Sequence, residues 1–215
     1  MAPRVLVYFR ATAYRHESTL TAVAAIAAAL SPLGIASETS EDVSIVTPAQ
    51  LSRFGAVVVV SPSGEPFGRV DSSANFALVE FVRGGGGLVG VHSVDSAYGC
   101  GMFSTLVGCV FAGHPGNVRT ATCRTEGAHA VTSGLAPQFD TADEFHAFNN
   151  FRPDNIVVLR CDAVDGTTRL PIAWVRAEGA GRVFVNTLGH PVERWNDAAW
   201  VAMQIVPGIR WVLRR

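Results

Sequence analysis

Two short stretches, "GAVVVVSPS" (55–63) and "GLVGVH" (87–92), constrain this chain more than anything else in it. Each is a run of apolar residues on consecutive positions, and each is of strand length, short for a helix. A strand with one wet face alternates apolar and polar residues. An uninterrupted apolar strand is therefore one covered on both faces. "RVLVYF" (4–9) reads the same way, and "IASETSED" supplies a second, more exposed strand. Helix signals lie between these runs. "STLTAVAAIAAALSPLG" has Ser18 as a candidate cap and stops at Pro32 and Gly34, and "NFALVEFVRGG" ends in glycine. Short buried strands alternating with helices predict an α/β fold with a doubly wound, mainly parallel sheet.

The second half has a different rhythm. "VRTATCRT", "FDTADEFHAF", "NIVVLRCDAV", "PIAWVRAEG" and "GRVFVNTLGH" all have strand character, so additional strands are expected in the C-terminal half. "WVRAEGAGRVFV" reads as a hairpin turning at "EGAG". A closing helix carries Trp200 and Trp211, with a break expected at Pro207. No linker or internal repeat interrupts the chain, and one domain over residues 1–215 is expected.

Composition removes several function classes. Charged residues make up 16% and the formal net charge is −1, with no basic run, so no nucleic-acid partner is expected. All seventeen basic residues are arginine, which excludes a lysine Schiff base and a P-loop lysine. "AVAAIAAAL" is too short to span a bilayer, and "RVLVYF" begins a folded strand at Arg4, so neither a membrane partner nor a signal peptide is expected. A cytoplasmic location follows from these readings. Cys100, Cys109, Cys123 and Cys161 contain no C-x-x-C pair and read as free, mostly buried thiols.

The run Gly84–Gly87 is not a dinucleotide fingerprint. That motif needs its glycines after a strand and opening a helix, whereas these end a helix and precede a strand. No nucleotide cofactor is expected. The next strand instead delivers His92 to its carboxyl end, where open α/β sheets gather their ligands. His16 follows the first strand by a short loop, His190 terminates "GRVFVNTLGH", and His114 sits in the glycine-flanked loop after "GCVFAG". Imidazole titrates near neutrality and is the commonest metal ligand, so such a cluster suits proton transfer or a cation. In "TADEFHAF", Asp143 and Glu144 point to opposite faces of a strand, and Glu144 is the expected site carboxylate. His129 and His146 read as structural or surface residues.

Taken in order, "VLVYFRATAYRHES", "FVRGGGGLVGVHS", "GCVFAGHP", "TADEFHAF", "PIAWVRAEGAGRVFVNTLGH" and the following Trp195 resemble the trehalose-utilisation, or ThuA-like, family. The resemblance implies a flavodoxin-like fold akin to class I glutamine amidotransferases, and a place in carbohydrate metabolism. Those amidotransferases carry a nucleophilic cysteine at the elbow that His92 occupies here. His190 and Glu193 resemble their late histidine and glutamate, but without the cysteine no glutaminase activity is expected.

The resulting expectation is an enzyme acting on a sugar or keto-sugar. His92, Glu144 and His114 are its catalytic candidates for acid–base work. Arg15, His16, Ser93, Asp95, His190 and Trp195 are candidates for binding the sugar, with the Trp195 indole stacking on a pyranose ring. Two alternatives stay open. The same histidines, His16, His92 and His190, could ligate a divalent metal that polarises a carbonyl, or the chain could be a non-catalytic carbohydrate-binding or regulatory protein. The expected partner is a small carbohydrate. A homo-oligomer or a dehydrogenase partner is compatible with the sequence, which contains no partner-specific segment.

Overall fold

The computed structural model describes residues 3–69, 71–97, 101–114, 116, 118–162 and 168–215. The strands are β1 (Arg4–Tyr8), β2 (Ala36–Ser40), β3 (Ala56–Val60), β4 (Gly87–Val91), β5 (Val110–Gly113), β6 (Arg119–Thr125), β7 (Gln138–Asp143), β8 (Ala147–Asn149), β9 (Ile156–Asp162), β10 (Arg169–Glu178) and β11 (Gly181–Asn186). Nine of them form one sheet in the order β2-β1-β3-β4-β11-β10-β9-β6-β7, and β5 pairs with β8 as a separate ribbon. From β2 to β11 every pairing is parallel. This is the flavodoxin-like order, with its switch of direction between β1 and β3. Beyond β11 each strand is antiparallel to its neighbour. The C-terminal half thus extends the same sheet.

The consecutive apolar positions divide between two cores. On β1, Val5 and Val7 face one side while Leu6 and Tyr8 face the other; on β3, Ala56, Val58 and Val60 oppose Val57 and Val59. Helices α1 (Thr19–Leu30), α5 (Val192–Asn196), α6 (Ala198–Gln204) and α7 (Val206–Val212) cover the first side. Helices α2 (Pro48–Leu51), α3 (Ser73–Arg83) and α4 (Gly101–Val107) cover the second. A one-residue slip of β3 would exchange its two faces. Since each buried Val or Leu contributes roughly 1.5–3 kcal/mol, the register of these strands is strongly fixed.

The punctuation follows the sequence closely. Gly84 caps α3, Gly85 turns the chain with φ +117°, and Gly87 already belongs to β4. Pro207 sits in the first turn of α7, and the closing helix divides at Ile205. Cys109, Cys123 and Cys161 are buried free thiols; Cys100 lies outside the described residues. Trp174 and Trp200 are buried, and Trp211 is partly exposed. Among the described residues, no helix is long and apolar enough to cross a membrane.

Candidate functional site

A cavity of about 500 Å³ lies against the segments that leave β1, β3, β4 and β11 at their carboxyl ends. The ends of β5 and β7 close its other side, bringing His114, Glu144 and His146 to face His16 and His190. The site is therefore assembled from the end of the parallel half and the turns of the antiparallel half.

His92 is placed by a strained elbow. After Val91 the chain turns through φ +41° at His92 and +57° at Ser93, a left-handed conformation that side chains other than glycine rarely adopt. The His92 amide donates to the Asn186 carbonyl at 3.0 Å, and ring Nδ1 lies 3.0 Å from the Thr187 carbonyl. A carbonyl only accepts, so Nδ1 carries the proton and Nε2 keeps its lone pair. That Nε2 is buried without a hydrogen-bond partner. His92 itself is 0% exposed, behind the rings of His16 and His190 at centroid distances of 4.6 and 5.3 Å. The strand-end position expected of His92 holds, but the side chain does not line the cavity. A base must touch the group it deprotonates, so the geometry does not favour His92 as the acid–base residue.

His16 comes from the loop between β1 and α1, is buried, and also leaves a ring nitrogen, Nδ1, unpartnered. Burial, with the neighbouring His190 adding to it, lowers its pKa to about 4. Burial and then His16 and His146 hold His92 well below the ordinary imidazole value. Both rings are uncharged at neutral pH.

Asp143 and Glu144 divide as the strand alternation requires. Asp143 is fully buried and accepts three backbone N–H bonds, from Glu144 (2.9 Å), Gly189 (2.9 Å) and His190 (3.0 Å). It pins the end of β7 to the loop carrying His190. Burial raises its pKa to about 6 against the pull of those bonds. Glu144 faces the cavity, with Oε1 3.2 Å from His114 Nδ1 and Oε2 3.1 Å from His146 Nε2 and 3.3 Å from His190 Nδ1. Burial alone would push Glu144 up, but His146 and His190 outweigh it and hold the carboxyl well below the usual range. His190 is raised in return by its contact with Glu144, although its ring N–H is not aligned for a hydrogen bond.

The residue that sequence reasoning missed is His146. It is 2% exposed, with Nδ1 2.9 Å from Asp95 Oδ2 and Nε2 bonded to Glu144. Burial opposes a charge there, but the two carboxylates prevail and raise its pKa to about 9. A signal was present in "DEFH": in extended chain Glu144 and His146 point the same way and Phe145 the other, into the core. Asp95, expected to meet a sugar hydroxyl, is instead occupied by His146. Ser93 does line the cavity. His114 does too, with the Gly116 amide 3.1 Å from the same Nδ1 that faces Glu144.

Two candidates fall outside the site. Trp195 is 3% exposed, packs edge-on against Trp200, and donates its indole N–H to the Gly189 carbonyl at 2.8 Å. Its face is spent on the core. Gly189, at φ +125°, has no room for a Cβ, which would come within 2.7 Å of that indole. Arg15 points away from the cavity, paired with Glu41 at the surface. His129 packs on Trp211, remote from the cluster.

No curated protein matches the sequence. Among solved structures, a protein described as ThuA-like from Bacteroides uniformis superposes with a TM-score of 0.79 at 18% identity, over 98% of this chain and 91% of that one. Another described in the same way, from Parabacteroides merdae, gives 0.80 at 16% identity, over 99% and 90%. A chain described as a GMP synthase subunit, from Thermoplasma acidophilum, gives 0.59 at 9% identity, over 100% and 99%, so the two share a fold. The family model for trehalose utilisation matches residues 4–212. The chain belongs to the trehalose-utilisation (ThuA) family.

Proposed function

We propose that the chain is an enzyme acting on a sugar or keto-sugar by histidine and carboxylate chemistry in this cavity. The observation that carries the reading is the opposite proton states of groups sharing one small space. His16 is held uncharged, His146 is held protonated, and Glu144 is ionised between them. Environments that drive titratable groups apart in this way are how one fold supplies acid and base together. The cavity volume lies in the range of small-molecule sites. Membership of a family described by trehalose utilisation supports a carbohydrate as the ligand.

The lining divides into lone-pair donors and proton bearers. Glu144 and His16 can accept a proton from a hydroxyl or from a carbon beside a carbonyl. His114 lines the cavity and can donate a ring N–H to the carbonyl oxygen, while His146 holds positive charge next to Glu144. Ser63, Ser93 and Ser96 also line the cavity. Isomerisation or elimination next to a carbonyl needs this pairing of acceptor and donor. Glutamine hydrolysis does not fit, because the elbow presents His92 where a thiol nucleophile would stand.

The test is a panel of mono- and disaccharides and their keto derivatives, incubated in deuterium oxide and followed by NMR. Conversion or C–H exchange should occur for a keto-sugar and fall by about a hundredfold or more in His114→Ala. Binding without conversion or exchange would assign a carbohydrate-binding role instead. An unchanged rate in His114→Ala would remove the donor role given to that residue.

A further inference from the structure

His92 has no outlet in proton transfer. Its Nε2 is buried, unpartnered and separated from the cavity by the rings of His16 and His190. Two more buried ring nitrogens lack a hydrogen-bond partner, His16 Nδ1 and His190 Nδ1, the latter 3.3 Å from Glu144 Oε2 without being aligned for a bond. These three histidines and Glu144 each offer a donor atom, and all four atoms lie within 4.8 Å of one another. Orphaned polar atoms in a protein interior are uncommon, and three of them on rings packed against one another call for a common partner. A water molecule donates only two hydrogens, whereas a cation takes four lone pairs at once.

We propose that His16, His92, His190 and Glu144 form a binding site for one divalent transition-metal cation. With bonds of about 2.1 Å, donors lie about 3.4 Å apart around a tetrahedral ion and about 4.2 Å apart on opposite sides of an octahedral one, so a widest separation of 4.8 Å has to close by about 0.6–1.4 Å. Three imidazoles and one carboxylate suit zinc, iron, cobalt, nickel or manganese better than magnesium or calcium, which favour oxygen ligands. The surrounding hydrogen bonds are those that metal ligands require. The Thr187 carbonyl takes the His92 Nδ1–H and so aims Nε2 inward, and His146, held by Asp95, fixes the Glu144 carboxylate.

The four come from the chain beyond β1, β4, β7 and β11, which is why no short ligand spacing exists in the sequence. A cation there would supply Lewis acidity to a carbonyl or hydroxyl oxygen of a ligand in the cavity, and would take the place of His16 and Glu144 as proton acceptors, because their lone pairs would then bind the ion. Only that use of the cation rests on the sugar-site reading; the metal site itself does not.

The experiment is a metal titration of tag-free protein stripped with a chelator. Zinc and manganese ions are followed by calorimetry, and cobalt(II) by its visible ligand-field absorption. One equivalent should bind, with cobalt bands typical of nitrogen donors. His92→Ala and Glu144→Gln should each weaken binding by about a hundredfold or more, beyond the range of outer-shell changes. His129→Ala, remote from the cluster, should leave it unchanged. Circular dichroism and thermal unfolding check each variant's fold, and His190→Gln replaces His92→Ala if that variant does not fold. The inference is overturned if the wild type binds none of these ions tighter than about millimolar, or if the ligand variants lose no more affinity than His129→Ala. Sugar binding by the stripped protein is measured alongside. Sugar without metal would overturn the cation site and leave the sugar reading standing, and metal without sugar would do the reverse.

Discussion

Replacing Asp143 with alanine tests how the two halves of the sheet are joined at the site. The carboxylate accepts the amide protons of Glu144, Gly189 and His190 at 2.9–3.0 Å, and none of these bonds is shared with solvent, because Asp143 is fully buried. An unsatisfied buried donor costs about 1–3 kcal/mol. Three of them, with water entering part of the space left behind, place the loss at about 3–5 kcal/mol. Asp143→Asn keeps one acceptor oxygen and should lose about half as much. Urea denaturation gives the stability change, and amide hydrogen exchange gives its location. The Gly189 and His190 amides should exchange faster in both variants, while amides in β1 change only with global stability. A loss below about 0.5 kcal/mol in Asp143→Ala, or unaltered exchange at Gly189 and His190, would refute the claim that this carboxylate holds the His190 loop.

Two further outcomes follow from the geometry. Trp195→Phe removes the bond to the Gly189 carbonyl and should cost about 1 kcal/mol of stability with no loss of ligand affinity in calorimetry. A drop in affinity at unchanged stability would restore the indole to the cavity. His146 is raised from 6.5 to about 9 on folding, so its contribution is complete below pH 6.5 and disappears as pH rises through about 9. For the metal-free protein this amounts to roughly 3 kcal/mol at most, read as the difference in denaturation free energy between wild type and His146→Gln across that range. A constant difference would mean that His146 is not held protonated by Asp95 and Glu144.

The parts of this molecule legible in the sequence are those governed by local rules. Consecutive apolar residues in β1, β3 and β4 announce strands covered on both faces, and glycine and proline mark the ends of α3 and the break before α7. His16, His92 and His190 were findable because a parallel sheet collects its strand ends along one edge. Burial and direction were not findable in this way. Trp195 is five residues from His190 but turns its indole into the core beneath the loop. His92 stands at the expected elbow but faces inward behind other rings. The bond between His146 and Asp95 joins residues 51 positions apart, and only the packing of β7 and its following turn against the β4 elbow brings them together. Asp95 could therefore pass for a free hydroxyl partner, and His146 for a bystander, in the linear chain.

The most direct test of the central claim, that this histidine-lined cavity receives a sugar, is a long-range proton–nitrogen NMR spectrum of the six imidazoles during titration with the keto-sugar panel. The resonances of His114, His146, His16 and His190 should move together with one saturating curve, while His129, packed on Trp211 away from the cavity, stays fixed. Equal movement of His129, or no movement of the cavity set with any sugar, would contradict it.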